Sequence, residues 1–266
     1  MPSLLHTHSP WGPTDQIGAG NLLTVEKRLA ALALVRHGRV YDVSHEIYMG
    51  APYMAPNQTP FLMSIFGSWR DTINRRRKMG ATNDAGTNLE RIEMTAHVGT
   101  HIDALGHFSN GDMLYNGNSA ADVVTDWGLD RLGIEHAPPM ITRAVLFDVG
   151  GAAHLAPGQT ITPDDLKRAA DAGGFAVEAG DIALIRTGWG RFFGADNMAI
   201  EVLPNPNKGL MLPMHQFALA ECGVYLIENL ALEELVAAHI YAGCFVLLAT
   251  KIRGATGAPV RPILMV

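Results

Sequence analysis

HVGTHIDALGHF, residues 97–108, decides how this chain is read. From His97 to His107 the order is H-x3-H-x-D-x3-H, which packs three imidazoles and a carboxylate into eleven residues. Neutral imidazole is the commonest metal ligand, and a neighbouring carboxylate suits Zn2+, Mn2+ or Fe2+. The residues before it, LERIEMTA (89–96), alternate as a strand does. Gly99 then interrupts any regular element, so the H-x3-H pair does not sit on a plain helix. The cluster belongs to a strand end and the turn after it, where a glycine permits a tight path and ligands converge on one point.

Each side chain in the run has a chemical use. His97, His101 and Asp103 supply two nitrogens and a carboxylate, the three-ligand layout that leaves open positions at a catalytic site. A divalent ion held there lowers the pKa of its water to about 7 and polarises a carbonyl. Such an ion generates a metal-bound hydroxide for attack. His107 is either a fourth ligand or the proton shuttle, since an unperturbed pKa of about 6.5 suits acid–base work. Thr100 and Ser109 can hydrogen-bond the ligands from outside. His45, His136, His154 and His239, taken singly, read as structural. His37 closes a helix, where the dipole favours a cation.

Outward from the run, strands and helices alternate with no composition break. The sequence predicts a helix capped by Thr24, with Glu26 in its first turn, Leu29, Leu32 and Val35 at helical spacing and Gly38 ending it. RVYDVSHEI (39–47) reads as a strand, and the proline-bearing segment 49–60 as a loop. Residues 67–88 read as a long surface excursion, with the basic run Arg75-Arg76-Arg77-Lys78 on a solvated face. Residues 118–127 suggest a short helix and 143–149 a buried strand. Thr162-Pro163-Asp164-Asp165 opens a helix that Gly173-Gly174 stops. A strand follows over 181–187, then a helix over 213–221 ending at Gly223. A short strand over 224–227 places Glu228 at its end. Residues 232–239 are helical, and CFVLLATKI (244–252) is apolar enough for a central strand. One α/β domain over residues 1–266 is the simplest account, with the loop and helix of 1–38 available for subunit contacts.

Composition narrows the function class. Of 266 residues, 48% are hydrophobic and 17% charged, an ordinary globular balance that can bury a core without disulfides. A net charge of −6 argues against nucleic acid as a partner, because phosphate binding needs a basic face. No segment reaches the roughly 18 apolar residues of a membrane span, and the N-terminus lacks the pattern of a signal peptide. His6 and His8 read as part of a mobile tail. Cys222 and Cys244 lack CxxC spacing and read as buried thiols in a reducing cytoplasm.

HVGTHIDALGHF resembles the HxGTHxDxxxH signature of the cyclase family of metal-dependent hydrolases, which includes bacterial arylformamidases and isatin hydrolases. WGPTDQIGAGNLLT (11–24), GVYLIENLALEEL (223–235) and KIRGATGAPVRP (251–262) resemble the family's longer branch, so the likeness spans nearly the whole chain. It implies a swivelling β/α/β domain with a mixed, β-barrel-like sheet core and surrounding helices, assembling as a homodimer or homotetramer. It implies His97, His101 and Asp103 as ligands to Zn2+ or Mn2+, one ion or two, His107 as general acid/base, and Glu228 as the downstream carboxylate. Its downstream His-or-Gln ligand falls on Gln216 by register, with His215 then lining the pocket; both remain open. Aromatic side chains closing such a pocket would come from Trp11, Tyr53, Phe61 and Trp69. Leu105-Gly106 stand where arylformamidases usually carry a proline.

The leading expectation is hydrolysis of an amide, lactam or lactone acyl bond in a small cyclic or aromatic substrate. Two other classes compete. A non-haem iron oxygenase could use a 2-His-1-carboxylate triad of His101, Asp103 and His215, though His97 would fill a position that oxygen needs. A non-catalytic metal-binding protein would favour four closed ligands and more cysteine.

Overall fold

The protein is seen in a computed structural model that describes residues 9–189 and 200–266; His6 and His8 lie outside the described residues. The strands are β1 Val40–Asp42, β2 Leu62–Gly67, β3 Leu89–Glu93, β4 His101–Asp103, β5 Val124–Thr125, β6 Gly128–Leu129, β7 Met140–Asp148, β8 Ile182–Arg186, β9 Leu226–Glu228, β10 Ala242–Leu247, β11 Gly257–Pro259 and β12 Ile263–Met265. The helices are α1 Val25–Leu32, α2 Trp69–Lys78, α3 Ala120–Val123, α4 Pro163–Gly173, α5 Pro213–His215 and α6 Glu233–Ala237. Five strands form a mixed sheet in the order β1-β12-β10-β7-β8, and three more form a small sheet, β11-β4-β9. The mixed α/β reading is right. Among the described residues the sheets stay open, and no closed barrel forms.

β7 and β8 pair in parallel, so the chain must cross over between them, and α4 makes the crossover. The α4 start follows its sequence: Thr162 accepts from the Asp165 N–H while the Asp165 carboxylate accepts from the Thr162 N–H. Gly174 ends it in the left-handed conformation. β10 lies at the centre of the large sheet, as its apolar run predicts. Ile102 of β4, Leu146 of β7, Phe245 of β10 and Ala258 of β11 are buried in one core that joins the two sheets.

Several boundaries differ from the sequence reading. α1 stops at Leu32, and its Val25, Leu29 and Leu32 are exposed rather than packed. β1 keeps three residues of the nine expected, because Ser44 turns the chain by bonding Asp42. Residues 118–127 contain only α3 before the β5–β6 hairpin begins. The expected surface excursion over 67–88 contains α2, capped by Ser68, with the Arg76 guanidinium tied to the Ala85 carbonyl. α2 was illegible because it has almost no apolar stripe; its last turn is the basic run itself. Cys244 is buried as expected, whereas Cys222 is exposed.

Two features bracket the site. The N-terminal block is stapled to the body through Asp15, which accepts from the Ile17 and Gly18 N–H groups, Asn21 and the Tyr115 hydroxyl. Ala19 donates to the Gly223 carbonyl, just beyond the segment that carries His215. Opposite in character is the β2–β3 ribbon, which pairs only with itself among the sheets. Its Leu62, Met63, Ile65, Phe66, Leu89 and Ile92 are all exposed.

Candidate active site

β4 presents His101 and Asp103 on one face, because residues two apart along a strand share a face, while Ile102 points into the core. β9 pairs antiparallel with β4, and Glu228 lies directly across from His101. Cross-strand partners share a face, so Glu228 joins the same cluster. The turn holding His97 depends on Gly99, whose φ is +70°; a Cβ there would meet Ile47 Cγ1 at 2.7 Å. Asn229, at φ +57°, locks the β9 end to this turn. Its side-chain amide donates to the Gly99 carbonyl, and its own carbonyl accepts from Thr100 Oγ1. Ser109 contributes its carbonyl, which accepts from Gln216 Nε2 at 3.3 Å.

Asp103 is the hub. Its Oδ1 lies 2.7 Å from His97 Nδ1 and 3.4 Å from His101 Nε2, and its Oδ2 lies 3.7 Å from His215 Nε2. Glu228 is 3.5 Å from His101 Nε2 and 3.2 Å from His215 Nε2. His101, Asp103, His215 and Glu228 are buried, whereas His97 and His107 are only partly so; these two form the approach side. His107 stacks on His97 with centroids 4.0 Å apart, and Phe108 packs on His215 at 4.7 Å.

Two donor groups share Asp103. His97, Asp103 and His107 have ligand atoms within 4.8 Å of one another, and so do Asp103, His215 and Glu228. Asp103 Oδ2 is buried and accepts no hydrogen bond within the chain. A buried acceptor left this way costs free energy unless a cation or water completes it. The donor set is nitrogen and carboxylate oxygen, which fits Zn2+ or Mn2+ equally well.

The electrostatics match a cation site. Burial works against the Asp103 carboxylate, yet the hydrogen bonds from His101 and His97 hold it well below the usual range. Burial likewise opposes a charged His215, but Glu201, Glu228 and Asp103 outweigh it and push the imidazole up to about 9. His101 is also raised, by Asp103 and Glu228 against burial. His107 goes the other way. Burial first, then the neighbouring imidazoles, outweigh the opposing pull of Asp103 and bring it down to about 4. His215 is thus favoured in its charged form, which a bound cation would displace, and His107 in its neutral form.

The sequence left His215 and Gln216 open, with Gln216 favoured as the ligand. Here His215 faces both carboxylates, and the Gln216 amide turns to Ser109. The cause is local. After α5 the helix widens to π form over Gln216–Glu221, with the Cys222 N–H reaching the Phe217 carbonyl. Glu201 fixes His215 further, accepting from its backbone N–H at 2.9 Å and meeting Nδ1 at 3.0 Å. Sequence reasoning missed Glu201, since a lone glutamate among prolines and asparagines carries no signal. Thr256, whose hydroxyl lies 2.9 Å from His97 Nε2, likewise carries no signal of its own within KIRGATGAPVRP.

The four aromatic candidates do not take the position that Phe108 takes. Trp11 is exposed beside the Ser9 turn, Tyr53 is exposed, Phe61 is buried, and Trp69 starts α2 under the Arg70 guanidinium. A cavity of about 910 Å³ lies on the far side of β9, lined by Ile227 and Asn229 while the intervening Glu228 faces the cluster. It shares Glu201 with the site but does not cover the donor groups.

Comparison with known proteins places the chain. A family model described as "Putative cyclase" matches residues 41–233. The crystal structure of a novel cyclase superposes with a TM-score of 0.85 at 26% identity, covering 98% of this chain and 100% of that one. Isatin hydrolase A from Labrenzia aggregata, bound to benzyl benzoate, gives a TM-score of 0.60 at 19% identity over 91% of this chain and 98% of its own. Isatin hydrolase A from Ralstonia solanacearum gives 0.58 at 18% identity over 90% and 96%. Among curated proteins none matches this chain.

Proposed function

The chain belongs to the cyclase family, and from that premise we propose that it is a metal-dependent hydrolase of amide, lactam or lactone acyl bonds in small cyclic or aromatic substrates. The observation that carries the reading is the convergence of three imidazoles, His97, His101 and His215, on Asp103, with Glu228 against His101 and His215 and with one Asp103 oxygen buried and unbonded. His97, His101, Asp103, His215 and Glu228 would hold Zn2+ or Mn2+, and two groups sharing Asp103 give room for a second ion. When bound, the metal polarises the scissile carbonyl and lowers the pKa of a water molecule.

The protein's own residues do the rest. His107, unprotonated at neutral pH, takes the proton from the attacking water and returns it to the leaving nitrogen or oxygen. Phe108 offers its ring beside His107 and His215, which suits a flat substrate. Glu201 keeps the His215 ring aimed at the carboxylates. The isatin hydrolases of similar fold act on isatin by their name, which favours trying isatin-like lactams first.

The test is a hydrolysis screen of arylformamides, isatin-like lactams, dienelactones and other lactones on protein of known metal content. We expect activity that a chelator abolishes and a single added divalent ion restores. Turnover that ignores the chelator, or that needs oxygen, would overturn the reading in favour of metal-free chemistry or the iron oxygenase.

The reading includes a homodimer or homotetramer, with a small molecule rather than nucleic acid as substrate. The exposed apolar ribbon β2–β3 supports self-association, since a two-stranded ribbon is marginal alone and an open apolar edge invites pairing. Replacing Ile65 and Phe66 together by aspartate should dissociate the assembly in light scattering; a monomeric wild-type protein would refute it. Among the described residues no helix is long and apolar enough to cross a membrane. Its two free cysteines favour the cytoplasm.

A further inference from the structure

We propose that Thr256 is a positioning residue that lets His97 exchange a proton between its two ring nitrogens when the metal binds. The inference rests on the metal-site reading above. His97 is engaged at both nitrogens: Nδ1 lies 2.7 Å from Asp103 Oδ1, and Nε2 lies 2.9 Å from Thr256 Oγ1. A carboxylate only accepts, so in this arrangement Nδ1 carries the proton and donates it to Asp103. Nδ1 is the nitrogen on the Asp103 side and Nε2 the one on the Thr256 side, so a cation shared with Asp103 would reach His97 through Nδ1. The proton then leaves Nδ1 and is carried by Nε2, and no net proton is lost from the ring. Nε2 now needs an acceptor where it previously had a donor.

A hydroxyl is the side-chain group that serves both states by rotating its own hydrogen. Thr256 is held where it can do so. Its carbonyl accepts from the Ala104 N–H at 2.9 Å, at the junction of β4 and β11. The next residue, Gly257, has no side chain because a Cβ there would come within 2.6 Å of His97 Cε1. The backbone of β11 thus forms a wall for the imidazole, and the Thr256 hydroxyl marks its far end. This matches the general rule that a metal-binding histidine has its other nitrogen fixed by a partner outside the ligand set.

The experiment uses the full chain and Zn2+ alone, with affinity read by calorimetry and the His97 tautomer by long-range nitrogen–proton NMR correlation. Wild-type protein should show the proton on Nδ1 without metal and on Nε2 with Zn2+. Thr256→Val, close in shape but without the hydroxyl, should weaken Zn2+ binding about 10- to 100-fold. Thr256→Ser should restore it to near the wild-type value, which a purely packing role for the threonine methyl would not allow. If Thr256→Val binds Zn2+ as wild type does, or if the metal-bound tautomer keeps its proton on Nδ1, the inference falls. If the wild-type protein binds neither Zn2+ nor Mn2+, the metal-hydrolase reading itself falls.

Discussion

Asp103→Asn is expected to yield a folded protein that no longer holds metal. The carboxylate is 1% exposed and is the one group common to both donor sets, so its loss dismantles both together. Even residues that touch ligands from outside cost about 10- to 100-fold in metal affinity when removed. The shared ligand should therefore cost more than roughly 100-fold, with hydrolysis falling in parallel. Asparagine keeps the size and one carbonyl oxygen, so the His97 contact has a substitute acceptor and the core around Ile102 is undisturbed. The charge, however, is gone. His215, held up to about 9 partly by Asp103, should then titrate lower, a shift that NMR can follow in the metal-free variant. Metal content by elemental analysis and folding by circular dichroism check the two halves of the claim. Retention of one metal per chain would remove Asp103 from the centre of the site.

The reason Asp103 was legible from sequence, while Glu201 was not, is spacing. His97, Gly99, His101, Asp103 and His107 lie so close that any turn-and-strand path brings them together, and β4 does so with its two-residue repeat. Glu228 was legible because a strand end was visible around it. His215 and Gln216 are adjacent, and a one-residue choice on a helix depends on its winding. The π-type widening after α5 settles which side chain faces β9, and nothing in PMHQF announces that widening. The fold shows the same division. α4 and β7 carry strong local signals, a capping box and a long apolar run, and both are where the sequence puts them. β11 and β12 are three residues each and exist because β4 and β10 offer them edges, so tertiary pairing rather than local pattern creates them. α2 is stabilised by its cap and by Arg76 rather than by an apolar face, which is the signal that periodicity reads.

Removing the imidazole of His107 should separate proton transfer from metal binding. His107→Ala is expected to lower kcat about 10²- to 10⁴-fold, the usual worth of a positioned general acid or base. KM and metal content should stay near wild type, because the buried donors His101, Asp103, His215 and Glu228 remain in place. The pH dependence supplies a second, independent readout. Burial and the neighbouring imidazoles bring His107 down to about 4, below its ordinary value, so it is unprotonated and competent as a base from there upward. A bound cation acts in the same direction as those neighbours. The part of the wild-type rate that depends on His107 should therefore fall as pH drops through that low value, and the variant should lose this acid limb. His107 also stacks on His97 at 4.0 Å and belongs to one of the two donor groups, which makes a ligand role its competitor. The two roles give opposite outcomes: a shuttle leaves the metal and loses the rate, whereas a ligand loses both. Metal loss in His107→Ala would transfer the residue to the coordination set and leave the proton without a carrier on the approach side of the cluster.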